Sequence, residues 1–163
     1  MRKILSRVKT WAVTNKDVLV VLALLLALDR VSKVLAQNFL WQGPKKILPF
    51  FQLQYVENTG SAFGMLQGAN GWLILVMVVI IGYILYSWKE LCAQGNLVKW
   101  GCVCILAGAL GNLYDRITLG YVVDFLDFLV WPVFNVADSA ITVGGGLFVI
   151  SLIWHGAKKQ EEK

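Results

Sequence analysis

Two aspartates offer the chemistry in this sequence. Asp124 lies in VVDFLDF and Asp138 in FNVADSAI. Asp124 has no basic neighbour in sequence. Val122, Val123, Phe125 and Leu126 surround it, and an apolar setting raises a carboxyl pKa. Asp127 is an alternative to Asp124, three residues on and free to face elsewhere. Asp138 opens an apolar segment, where an aspartate can either cap a helix or do chemistry. Two carboxyls within a few ångströms of each other share one proton and titrate as a pair. The ionised member can then activate water while the protonated member polarises a carbonyl. The spacing of Asp124 and Asp138 permits such a meeting and does not require it.

Other chemistries are poorly supported. His155, the only histidine, falls at the opposite end of its apolar segment from Asp138, which excludes a Ser–His or Cys–His pair beside the aspartates. The sequence holds no HExxH and no CxxC, so no ordinary zinc site is expected. It has no GxSxG and no glycine-rich phosphate loop. Ser32 and Lys33 are neighbours on a helix and face apart. The cysteines, Cys92, Cys102 and Cys104, read as small apolar residues. No metal and no cofactor is expected.

The elements that must position the aspartates are apolar. The 163 residues are enough for one domain, but 58% are hydrophobic and mean hydropathy is +0.65. That is too apolar for an ordinary soluble domain, and the excess lies in blocks. Four blocks are long enough to span a bilayer: about 17–36, 71–88, 97–114 and 138–155. Trp72, Trp88, Trp100 and Trp154 lie near their ends, as an aromatic belt would. Asp29, Arg30 and Lys33 follow the first apolar run with no convincing cleavage site, so the first block is expected to be retained.

Charge sets the orientation. The net charge of +5 does not point to nucleic acid, because the basic residues cluster at the termini and beside apolar blocks. Arg2, Lys3, Arg7, Lys9, Lys16, Lys89, Lys99, Lys158, Lys159 and Lys163 are ten of the fifteen Lys and Arg residues, and they map to one side. Both termini are therefore expected to be cytoplasmic. The expected fold is a membrane all-α bundle of four helices, one domain over 1–163. A basic segment covers 1–16, an outer loop 37–70 and a cytoplasmic tail 156–163. The loop carries FFQLQYVEN, whose near period of two reads as a half-buried strand ended by the turn signal Asn58-Thr59-Gly60. Gly120–Phe125 reads as a second extended piece of this outer β-element.

The outer face also carries Asp29 with Lys33, four residues apart and able to pair on a helix. Asp115 and Arg116 close the third block, and Arg116 suits a buried ion pair or a carboxylate clamp. Small residues, including Gly108, Gly111 and Gly144–Gly146, allow close helix packing.

Taken in order, DRVSK (29–33), ENTGSAFG (57–64), GALGNLYDR (108–116), VVDF (122–125) and FNVADSAI (134–141) resemble the lipoprotein signal peptidase family, signal peptidase II. The resemblance covers nearly the whole chain. It implies an intramembrane aspartyl endopeptidase of the bacterial inner membrane. Such an enzyme cleaves diacylglyceryl-modified prolipoproteins just before the lipidated cysteine, near the extracytoplasmic face. It implies Asp124 and Asp138 as the catalytic pair. Asn58, Gly60, Asn112, Arg116, Asn135 and Ala137 would be substrate-binding residues, with Asp29 and Lys33 as a supporting polar pair. Its partners would be the prolipoprotein, membrane lipid and globomycin-type cyclic peptides, with the chain acting as a monomer. The second glycine of many relatives is Ala109 here, a conservative change for packing. Two rivals remain at this point: a small transporter or proton relay through the intramembrane acids, and a structural membrane subunit with Asp124 and Asp138 as anchor and cap.

Overall fold

A computed structural model describes residues 15–60 and 68–161, the last seven of these by backbone alone. The basic residues before Lys16, residues 61–64 of ENTGSAFG and Lys163 lie outside the described residues. The elements in chain order are α1 (Lys16–Phe39), β1 (Lys45–Leu48), β2 (Phe51–Asn58), α2 (Asn70–Tyr86), α3 (Trp88–Ala93), α4 (Asn96–Thr118), β3 (Val122–Asp127) and α5 (Val136–Glu161). The chain is mostly helical with one small antiparallel sheet, ordered β1-β2-β3. Each of the four expected apolar blocks is a helix.

Two of these helices meet the length and hydropathy of a membrane span: α4, and α5 over Val136–Trp154. α2 is apolar but 17 residues long. α1 is long enough, but it carries Asp17, Asp29, Arg30 and Lys33. Three of those charges belong to the site described below, and they dilute the hydropathy of the helix that holds them. α2 buries only Ile84, and an apolar helix with so little protein contact is one suited to lipid.

α4 is the central helix. Val98, Cys102, Val103 and Leu106 on its first half pack with Val18 of α1, Ile84 of α2, and Trp88 and Leu91 of α3 in one apolar cluster. Trp88 is thus a core residue and not part of an aromatic belt, whereas Trp72 and Trp154 are exposed. A second cluster joins Ala36 and Leu40 of α1 to Val123 and Phe125 of β3. Between these clusters, on both α1 and α4, the buried residues turn polar: Asp29, Lys33, Asn112, Asp115 and Arg116.

Glycines let α4 and α5 close. A Cβ at Gly108 would stand 2.2 Å from the Ala137 carbonyl oxygen, and one at Gly144 would stand 2.7 Å from that of Gly101. A Cβ at Gly111 would stand 2.6 Å from Asp29 Oδ2, so this glycine makes room for a carboxylate as well as a helix. Gly145 and Gly146 have nothing near them and take no part in the closure. They follow the contacting Gly144 by one and two residues and so lie off its face of the helix.

β2 lies where the near period of two places a strand, β3 overlaps the second expected extended piece, and β1 is an addition. Its residues KKIL are all exposed, so no burial pattern marks it; pairing Lys45 with Leu53 defines it. β2 pairs with β3 through Val56↔Asp124 and Asn58↔Val122. That register brings Asn58 beside Asp124.

Candidate active site

Asp124 is fully buried at the middle of β3. Its Oδ1 accepts from Asn135 Nδ2 at 2.7 Å, and its Oδ2 accepts from Asn58 Nδ2 at 2.8 Å. Asp138 lies in the first turn of α5. Its Oδ1 accepts from Asn112 Nδ2 at 2.7 Å and its Oδ2 from the Asn135 backbone N–H at 3.2 Å. Asn135 Oδ1 returns the favour by accepting the Asp138 backbone N–H at 2.9 Å. This is a capping box, with Asn135 as the cap and Asp138 as the third helical residue. The cap of α5 is therefore Asn135 and not Asp138. The same asparagine touches both aspartates, through Nδ2 on one and through its backbone and Oδ1 on the other.

Three asparagines present their amide N–H groups to the carboxyls, and in each a donor that cannot reverse fixes the amide. Lys33 Nζ holds Asn112 Oδ1 at 2.9 Å, the Gly60 N–H holds Asn58 Oδ1 at 3.0 Å, and the Asp138 N–H holds Asn135 Oδ1. Ammonium and backbone N–H groups only donate, so each side-chain NH2 must point the other way, at an aspartate. Asn58, Asn112 and Asn135 thus act directly on the carboxyls.

Behind them sits Lys33, completely buried. Its ammonium reaches Asp29 Oδ2 and Asp115 Oδ2, each at 2.9 Å, as well as Asn112. All three of its donors are satisfied, as a buried charge requires. Asp29 also accepts the Ala137 N–H at 2.9 Å, which ties α1 to the start of α5. Ala137 is itself buried. Asp115 also contacts Arg30 Nη1 at 3.3 Å and the Val123 N–H at 3.3 Å. The Asp29–Lys33 pair forms as its spacing implies. Asp115 is partnered by Lys33 and Arg30, not by its neighbour Arg116.

Arg116 is buried, and among the described residues it has no carboxylate partner. Nη2 donates to the Gly60 carbonyl at 2.5 Å and Nη1 to Asn70 Oδ1 at 3.2 Å, and Asn70 Nδ2 donates to the Arg116 carbonyl at 3.2 Å. Nε has no hydrogen-bond partner among the described residues. Asn70 was not singled out in the sequence. Its one signal is a polar residue at the mouth of the apolar run beginning at Gly71.

Asp127 does not substitute for Asp124. It takes the Gln52 amide at 2.6 Å and the Leu129 N–H at 2.7 Å, away from Asp138. Three residues along a strand put the two on opposite faces.

Burial, and next the nearby charge of Asp138, push Asp124 from the usual carboxylate range up to about 7; Asn58, Asn135 and Lys33 oppose the rise. The charges in the cluster explain why one proton belongs there. Arg30, Lys33 and Arg116 face Asp29, Asp115, Asp124 and Asp138, so three cations meet four carboxyls and one added proton makes the set neutral.

The chain as a whole resembles known proteins. The family model for signal peptidase (SPase) II matches residues 21–154. The chain belongs to the signal peptidase II family. Among curated relatives, the lipoprotein signal peptidase of Alteromonas mediterranea is 41% identical over 86% of this chain and 82% of its own length. That of Thermodesulfovibrio yellowstonii is 45% identical over 77% of this chain and 87% of its own. A solved bacterial membrane enzyme aligns with a TM-score of 0.81 at 26% identity, covering 91% of this chain and 94% of that one. Members of the signal peptidase II family are peptidases that process lipoproteins, and this chain is a membrane protein with apolar helices. All five sequence blocks, from DRVSK to FNVADSAI, fall within the matched stretch.

Proposed function

We propose that this chain is an intramembrane aspartyl endopeptidase. It removes the signal peptide from diacylglyceryl-modified prolipoproteins and cuts just before the lipidated cysteine. The observation that carries this reading is that one buried residue, Asn135, holds both carboxyls, donating from Nδ2 to buried Asp124 and from its backbone N–H to part-buried Asp138.

Asp138 is the ionised member, since it sits at the positive end of α5, whereas Asp124 lies on a strand with no helix end beside it in its own element. Asp124 carries the shared proton, in keeping with its value near neutrality. Asp138 takes a proton from water as the water oxygen bonds to the scissile carbonyl carbon. Asp124 gives its proton to the carbonyl oxygen, leaving a neutral diol. Asp138 then protonates the departing nitrogen, the C–N bond breaks, and the diol returns a proton to Asp124. Neither a metal nor a covalent intermediate enters.

Arg116, whose Nε–H has no partner among the described residues, and Gly60 flank the pair and contact substrate, as do Asn58, Asn112, Asn135 and Ala137 around it. Asp29 and Lys33 support them. The four helices α1, α2, α4 and α5 cross the bacterial inner membrane, with both termini cytoplasmic and the sheet outside. Globomycin-type cyclic peptides occupy the same site of the monomer. A proton relay fits less well. On the cytoplasmic side of Lys33, the cluster from Val18 to Leu106 is apolar and offers no next step for a proton.

The test is a gel-shift cleavage assay on a diacylglyceryl-modified prolipoprotein. Asp124→Asn and Asp138→Asn should each lower the rate at least about 10²-fold, with thermal unfolding still cooperative. A folded variant that cuts at the wild-type rate would refute the pairing.

A further inference from the structure

Arg116 presents a puzzle. A buried arginine beside acidic groups is expected to pair with one of them, because guanidinium and carboxylate fit two-pronged. Arg116 lies within electrostatic reach of Asp124, Asp138 and Asp115. Yet among the described residues it forms no ion pair within 4.0 Å. Two neutral acceptors hold it instead, the Gly60 carbonyl and Asn70 Oδ1. Asn70 grips twice, since its Nδ2 also binds the Arg116 backbone carbonyl. It does so from the first residue of α2, an element that contributes nothing else to the site.

A pair that must share a proton cannot tolerate a guanidinium on one oxygen. An arginine in contact would keep that carboxylate ionised, and the acid of the mechanism would be lost.

We propose that Asn70 is a positioning residue that holds the Arg116 guanidinium off the Asp124–Asp138 pair, so that the pair keeps its proton and Nε–H is left for substrate. The proposal rests on the peptidase reading above. Around Asp124 the charged groups are Asp138 from α5, Arg116 from α4 and Lys33 from α1, with Asp29 and Asp115 behind Lys33; β2 presents the neutral Asn58. Of the three nearest, Lys33 is saturated and Asp138 is fixed by the helix cap. Arg116 is the group held only by neutral acceptors among the described residues, the Gly60 carbonyl and one side chain, Asn70.

The experiment is the pH profile of cleavage for Asn70→Ala, Asn70→Asp and the Asn70→Ala/Arg116→Gln double variant, with thermal unfolding as the folding control. In Asn70→Ala, Arg116 is released toward Asp124 and lowers its pKa. The alkaline limb of kcat/KM should move down by about one pH unit or more. At neutral pH kcat should fall about ten-fold, with KM little changed. Asn70→Asp keeps an acceptor for Nη1 and should hold the limb near its wild-type place. Against an Arg116→Gln background, removing Asn70 should move the limb no further.

An unmoved limb in folded Asn70→Ala overturns the proposal. So does a rise in KM with the limb in place, which would make Asn70 a substrate contact. If Asn70→Ala does not fold, Asn70→Ser, too short to reach Nη1, must shift the limb in its stead, and failure to do so is equally fatal. A wild type that does not cut the prolipoprotein would bring down the peptidase reading and this inference with it. A wild type that cuts with unshifted variants would remove this inference alone.

Discussion

At the scale of residues, the site is a set of groups whose orientation is forced. Lys33 can only donate, so Asn112 must turn its NH2 to Asp138; the Gly60 and Asp138 N–H groups do the same for Asn58 and Asn135. The cost of the arrangement falls on Asp124. Its folded pKa, about 7, lies above the ordinary 3.8. A carboxyl raised in this way favours the folded state below pH 3.8, and that contribution is lost as pH rises through 7. Asp124→Asn should therefore be more stable than wild type at pH 8, by a few kcal/mol at most, with the gap closing toward pH 4. Thermal unfolding across that range in one detergent checks it. A gap independent of pH would mean that Asp124 does not carry the proton in the folded protein. Asp124 and Asp138 were legible as candidates from their settings alone. Asn70 was not, because a lone asparagine before an apolar run has no spacing that ties it to an arginine far along the chain.

At the scale of elements, what matters is how closely α5 approaches α4. Gly108 meets the Ala137 carbonyl, one residue from Asp138, and Gly111 leaves space for Asp29. A methyl group at Gly108 has backbone in its way, and backbone cannot swing aside as a flexible side chain can. Gly108→Ala should cost about 1–3 kcal/mol and reduce cleavage sharply, because the displaced segment carries the capping box. Gly145→Ala, with open space around it, should be neutral in both. Equal effects from the two would argue against the α4–α5 contact. The glycines were visible in sequence as a group. Which of them pack depends on which face of α5 turns to α4, and an apolar helix whose charged residues lie only toward its two ends does not announce that face. The sheet was read in part for a similar reason. β3 and β2 are recognisable by their residues, but β1 is an exposed edge strand defined by its partner.

At the scale of the whole molecule, charge is layered. The cluster from Val18 to Leu106 is apolar, the next layer holds Asp29, Lys33, Asn112, Asp115 and Arg116, and β3 meets that layer where the Val123 N–H donates to Asp115. A hydrolytic site needs water and a lipid-anchored substrate together, which favours such a layer near an interface. If the proposed topology holds, a green fluorescent protein fused after Lys163 should fluoresce, and alkaline phosphatase fused after Gly43 should be active. The reverse pattern would invert the orientation given by the Lys and Arg residues. By itself the sequence determined the four long helices but not the short α3, two of the three strands, the pairing of Asp29 with Lys33 and the short list of acids. These are local properties: hydropathy along a segment, alternation along a strand, and residues one turn apart on a helix. The tertiary structure alone decided that Lys33 also serves Asp115 and Asn112, that Asn135 caps α5 while bridging both aspartates, and that Arg116 binds Asn70 and Gly60 in place of a carboxylate. Those contacts join residues on different elements. Each is fixed by how α1, α4, α5 and the sheet close on one another, and no local pattern encodes that closure.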